Sequence, residues 1–178
     1  TNKAQNRASL KQMLVLSLLV AISVILERFL GYNDKVLSVS LSFVPIALAG
    51  MLLGRLWPVA LPKAVQVAGL GVTAAGIGLM MWAAATMTRA RTSFMPGLVP
   101  KALVTDGPFR FSRNPIYLGD LLVMGGFLLA LQLPVGLVLL PVFAQVLTRF
   151  FILPEERVIE AGFGQGFRDY KARVRRWL

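Results

Sequence analysis

The sequence contains no cysteine and no histidine. The first absence excludes a disulfide framework, a thiolate-held metal and covalent thiol chemistry. The second removes the commonest general base and the commonest metal ligand, so no metal site is expected. Acids are scarce as well, with 8 Asp and Glu against 19 Lys and Arg and a formal net charge of +11. Any proton transfer must therefore use carboxylates, tyrosine, lysine or water.

Apolar residues are what the chain has in excess. They make up 56% of its 178 residues, and the mean hydropathy is +0.69. A soluble domain is typically about half apolar or less. Here the excess is gathered into runs at Leu10–Leu26, Leu37–Leu53, Val65–Trp82, Tyr117–Leu131 and Pro134–Leu153. Crossing the roughly 30 Å hydrocarbon core takes about 20 helical residues, fewer if flanking side chains snorkel. The expected fold is all-α: a polytopic helical membrane protein of about five transmembrane helices with short C-terminal helices. The second and fourth runs are short and read as tilted or partly re-entrant. Only Gln132-Leu133 separates the last two runs, which makes them a tight antiparallel hairpin. Gly69, Gly71, Gly76 and Gly78 in the third run, and Gly119, Gly125 and Gly126 in the fourth, permit close helix contact.

The positive charge reads as headgroup contact rather than nucleic-acid binding, because it flanks apolar runs and no nucleic-acid motif accompanies it. Arg89, Arg91, Lys101, Arg110 and Arg113 lie between the third and fourth runs; Arg157, Arg168, Lys171, Arg173, Arg175 and Arg176 lie after the fifth. A hairpin puts both groups on one side, which the positive-inside rule makes cytoplasmic. Five spans then leave Lys3, Arg7 and Lys11 outside, where they fit poorly. Leu10–Leu26 has the look of a signal-peptide core, but Glu27-Arg28-Phe29 follows it rather than a cleavage site. The opening Thr1 in place of Met reads as processing, trimming or engineering.

Between the third and fourth runs stands Gly107-Pro108-Phe109-Arg110-Phe111-Ser112-Arg113-Asn114-Pro115-Ile116-Tyr117-Leu118-Gly119. After the fifth come Pro154-Glu155-Glu156, Phe163-Gly164 and Phe167-Arg168-Asp169-Tyr170. Arg grips carboxylates with two prongs, Asn both donates and accepts, and paired acids take hydroxyls or an amine. Read alone, Arg113 and Tyr117 are also ordinary headgroup anchors. Pro154, Glu155 and Glu156 are equally suited to opening a helix, with the acids at the positive end of its dipole. Phe167, Tyr170, Val174 and Trp177 recur at spacings that predict an apolar stripe on an interfacial helix.

In order and spacing these motifs resemble the isoprenylcysteine carboxyl methyltransferase and phospholipid methyltransferase superfamily, its small bacterial members above all. The likeness covers roughly Val65 to Leu178. It implies S-adenosylmethionine as cofactor, in a pocket at the cytoplasmic face of a bacterial inner membrane. It assigns cofactor binding to Gly107, Arg113, Asn114, Tyr117, Glu155 and Glu156. Asn114 stands where eukaryotic members carry His. Thr148-Arg149-Phe150-Phe151 is similar to the Arg-Phe-Phe of the prenylcysteine enzymes, which implies a catalytic Arg149 that orients the acceptor. Snorkelling to the interface is the alternative for Arg149. The implied partners are the bilayer and a lipophilic acceptor, either a prenylcysteine-like carboxylate or a lipid amine.

Two other readings stand beside this one. Sterol reductases share a related helical core but use a nicotinamide cofactor. Ala21–Arg55, with Leu41-Ser42-Phe43-Val44-Pro45, resembles the start of a folate-type energy-coupling-factor transporter S component. That likeness divides the chain into an N-terminal two-span segment, 1–60, of different origin and a methyltransferase-like core, 61–178. It also admits a vitamin-binding fragment or fusion.

Overall fold

Apolar runs of this length fold as helices, and among the described residues every regular element is helical. The structure, a computed structural model, describes residues 47–54, 56–92 and 100–178. The Leu10–Leu26 run and most of both the second run and the transporter-like stretch lie outside the described residues. Everything described belongs to one compact unit, Ile46–Leu178.

Helix α1 spans Lys63–Arg89 and α2 spans Pro115–Ala130. A single 30-residue rod, Pro134–Phe163, follows. It starts as a 3-10 turn, Pro134–Leu139, and becomes α-helical as α3, Leu140–Leu147. It then widens into a π turn, Thr148–Ile152, and resumes as α4, Leu153–Phe163. Gly164, at φ 51°, breaks the rod before α5, Gln165–Arg173.

The 27 residues of α1 and the 30 of the rod are long and apolar enough to cross a membrane. At 1.5 Å per residue they reach about 40 and 45 Å. Helix α2, at 16 residues, falls short of that length. Two of the five expected spans thus meet the test among the described residues.

Apolar burial drives no helix association inside lipid, so helices there must approach closely enough for dispersion to act. Helices α1 and α2 do so through paired glycines. A Cβ on Gly69 would lie 2.6 Å from the Gly126 carbonyl oxygen, and one on Gly76 would lie 2.8 Å from that of Gly119. Gly69 opposite Gly126 and Gly76 opposite Gly119 defines an antiparallel pair. Gly125 faces the rod instead, its Cβ position 3.2 Å from Leu140. Gly71 and Gly78 depart from the expectation, since nothing among the described residues lies within 4 Å of their Cβ positions. They occupy the outer face of α1 with exposed Val67, Leu70 and Ile77.

The α2–rod connection is as tight as its length predicts. Gln132 takes φ 60°, and the Leu133 N–H returns to the Leu128 carbonyl at 2.8 Å. This six-to-one closure satisfies a carbonyl that the helix end would otherwise orphan. Helix α1 ends the same way, with Arg91 at φ 53° and Thr92 N–H on the Met87 carbonyl at 3.1 Å. The core runs between α2 and the rod, where Met124, Leu128, Phe143, Leu147 and Ile152 are buried. Helical residues 47–54 add a buried edge of Ala47, Met51 and Gly54, with Gly50 packed beside Leu128 and Gly136.

The rod corrects one expectation. Pro154 does not begin a new helix: Ile152 and Leu153 keep helical dihedrals and the chain runs through. Proline in a helix interior lacks a donor and crowds the carbonyl four residues earlier. The π turn immediately before it is the kind of local adjustment that accommodates such a residue.

Candidate active site

The antiparallel arrangement gathers the end of α1, the start of α2 and the end of the rod at one end of the molecule. Every Lys and Arg among the described residues except Lys63 lies on that end or in the segments attached to it. The chain enters α2 through Ser112-Arg113-Asn114, with Pro115 fixing the first helical position and buried.

Arg113 is the hub. Its Nη2 donates to Glu156 Oε1 at 2.9 Å, and its Nη1 donates to the carbonyls of Lys171 and Val174, each at 3.1 Å. Its backbone N–H donates to the Arg175 carbonyl at 3.0 Å. On the other side of Glu156, Arg176 donates Nη2 to Oε2 at 2.8 Å and Nε to Oε1 at 3.2 Å. Ser112 Oγ and Asn114 Nδ2 both donate to the Arg176 carbonyl, at 3.2 and 3.1 Å. The start of α2 thereby holds the chain's last residues through their backbone. Arg113 Nε is buried and has no hydrogen-bond partner among the described residues.

Tyr117 points the other way. It is buried, its hydroxyl donates to Glu155 Oε1 at 3.0 Å, and its ring lies 6.4 Å from that of Phe151 in the π turn. Tyr170 of α5 donates to the Phe109 carbonyl at 2.7 Å and so anchors the turn that Gly107-Pro108 opens. Gly107, at φ 58°, sits against Thr86 and Trp82 near the end of α1.

Three groups beyond the apolar run that ends at Leu153 have shifted ionisation. Burial alone would raise the Glu156 carboxyl; the Arg176 and Arg113 guanidiniums outweigh it and hold the group below its ordinary 4.5. Burial pushes the Tyr170 hydroxyl up to about 12, against a smaller opposing pull from Arg113. The hydrogen bond to Glu156 raises Arg176 in turn.

Of the residues singled out from sequence, Arg113, Asn114, Tyr117, Glu155 and Glu156 come together. Gly107 joins them only through Phe109 and Tyr170. Arg149 lies in the π turn, exposed, and makes no hydrogen bond or ion pair among the described residues. The expected interfacial stripe is corrected. Phe167 and Tyr170 are buried on α5, but the helix ends at Arg173 and Val174 is extended. A helix cannot continue there, because the carbonyls of residues 174–176 are held by Arg113, Asn114 and Ser112. Sequence reasoning missed Arg176 and Ser112 as members of the cluster, and nothing in their spacing signals it. It also missed Asp120, although an acid inside an apolar run is itself a signal.

The described residues thus combine two helices long and apolar enough to cross a membrane, close glycine packing and a polar cluster at one helix end. The model of the phospholipid methyltransferase family matches residues 65–166, and the chain belongs to that family of membrane methyltransferases. No curated protein matches the chain.

Proposed function

We propose that the protein transfers a methyl group from S-adenosylmethionine to a lipophilic acceptor at the cytoplasmic face of a bacterial inner membrane. The observation that carries this is the meeting of Arg113, Asn114, Tyr117, Glu155 and Glu156 at the end where the apolar helices stop. When bound, the cofactor supplies a methyl on a cationic sulfur that departs as a neutral thioether. The protein's work is then to align the acceptor and exclude water, which a chain without His and Cys can do.

The residues fit such a ligand. Glu155 and Tyr117 offer a carboxylate and a phenol for ribose hydroxyls or an amine, and Asn114 offers both a donor and an acceptor. Arg113 Nε is a buried donor still lacking a partner. Arg113 and Glu156 are otherwise committed to each other and to the tail, so they support the pocket wall as much as they contact the ligand. Gly107 shapes the loop at the end of α1. The acceptor, a lipid amine or a prenylcysteine-like carboxylate, reaches the site from the bilayer, and Arg149 orients it from the π turn. The concentration of Lys and Arg at this end supports a cytoplasmic C-terminus.

Isothermal titration of the detergent-purified protein with S-adenosylmethionine tests the reading, and saturable binding is expected. Binding of a nicotinamide dinucleotide with no response to S-adenosylmethionine would overturn it in favour of a reductase.

A further inference from the structure

Asp120 is the only carboxylate in the apolar stretches of α1, α2 and the rod up to Leu153. It lies three residues after Tyr117 and four before Met124. These are the helical spacings that put side chains on one face. Tyr117 and Met124 on that face are both buried. The glycine face that meets α1, Gly119 and Gly126, points elsewhere. Asp120 is thus directed to the same side as the Tyr117–Glu155 pair, about one helical turn deeper from the α2 start. Asp120 as a residue is half-buried, and it forms no hydrogen bond or ion pair among the described residues.

An acid placed in an apolar helix without a protein partner is costly, and in membrane proteins such acids mark sites of binding or proton movement. Among the described residues no other carboxylate lies at this depth. Helix α1 offers no titratable group between Lys63 and Arg89, and the rod up to Leu153 offers only Arg149. The titratable groups nearest to Asp120 along its face are Tyr117 and, through it, Glu155.

We propose that Asp120 is a catalytic residue that receives the acceptor's cationic amine and takes its proton. This rests on the methyltransferase reading and selects the amine over the carboxylate acceptor. An ammonium has no lone pair and cannot attack a methyl carbon. At Asp120 the ammonium N–H bond breaks, an O–H bond forms on the carboxylate, and the electron pair stays on nitrogen as the nucleophile. The protonated Asp120 then passes its proton to water admitted from the polar end of the site, and the carboxylate is restored. A carboxylate acceptor needs no such step, and an unpaired acid beside it would repel it.

The test compares wild type with Asp120→Asn, a nearly isosteric change at a side chain that has no hydrogen-bond or ion-pair partner among the described residues. S-adenosylmethionine affinity, measured by titration, should stay within about twofold. Lysophosphatidylethanolamine, titrated without cofactor, should bind at least tenfold more weakly to the variant. Lysophosphatidylglycerol, which has no amine, should bind both proteins alike. With phosphatidylethanolamine as acceptor, turnover near neutral pH should fall by about 10²-fold or more, the scale of a lost general base. The deficit should shrink as pH rises and the amine deprotonates unaided. An unchanged amine affinity, or a turnover loss equal at every pH, would overturn the assignment, as would methylation of a prenylcysteine carboxylate alone. Failure of the wild type to bind S-adenosylmethionine would remove the methyltransferase reading itself, and this assignment with it.

Discussion

Replacing Glu156 by alanine should release the last residues of the chain from the start of α2. The carboxylate accepts from Arg113 at 2.9 Å and from Arg176 at 2.8 and 3.2 Å. The Arg113 and Glu156 side chains are each 8% exposed, whereas Arg176 is 31% exposed. The two halves of the bridge are therefore unequal. Removing Glu156 strands a buried guanidinium whose Nε already lacks a partner, and breaking a buried pair from one side costs about 3–5 kcal/mol. Removing Arg176 loses the wetter half, worth about 1 kcal/mol or less. At about 1.4 kcal/mol per factor of ten, a 3 kcal/mol loss raises the undocked population roughly 10²-fold. Hydrogen exchange followed by mass spectrometry in detergent reads this directly on peptides covering Arg168–Leu178. Tail amides should exchange about 10²-fold faster in Glu156→Ala and only a few-fold faster in Arg176→Ala, with α1 protected in both. Equal acceleration in the two variants, or a tail still protected in Glu156→Ala, would refute the claim that the buried half holds it.

Gly126→Ala sets a Cβ 2.5 Å from the Gly69 carbonyl oxygen, which is backbone and cannot rotate away. It should lower thermal stability in detergent by about 1–3 kcal/mol. Gly71→Ala meets nothing within 4 Å and should gain about 0.5–1 kcal/mol of helix propensity; a matching loss at both positions would contradict the face assignment. Tyr170, raised to about 12 from 10.0, favours docking of α5 fully below pH 10, and that contribution is lost as pH rises through 12. Phenolate absorbance should show a tyrosine titrating near 12 that Tyr170→Phe removes. Glu156 works in the opposite direction. With its value held below 4.5, tail docking is fully supported above pH 4.5 and fails as pH falls further, which the same exchange measurement would detect.

Helix existence was written in the length of the apolar runs. Val65–Trp82 and Tyr117–Leu131 fall within or almost within α1 and α2, and the two-residue gap set the tight turn. Which glycines would touch was not written there. Gly69 and Gly76 share a seven-residue repeat with Gly71 and Gly78, and only the position of α2 distinguishes them. Pro154 carries the signature of a helix start, and no local pattern shows that a widened turn lets the rod pass through it. The site residues were legible individually and not in their relations. Arg113 and Glu156 each read as a ligand contact, yet they meet each other first. Arg176, 63 residues from Arg113 in the chain, has no spacing that could have linked them.

The π turn at Thr148–Ile152 has a geometric effect beyond accommodating a proline. An α-helix advances about 100° per residue, so a turn holding one residue more than the α path resets the azimuth of everything after it. Glu155 and Glu156 come after it. Shorten that turn by one residue, with every side chain kept, and both acids swing roughly a quarter of the way around the rod, away from Tyr117 and Arg113. The alignment of the two polar motifs is thus a matter of phase. It is set by a residue count within Thr148–Ile152, just ahead of the acids that benefit from it.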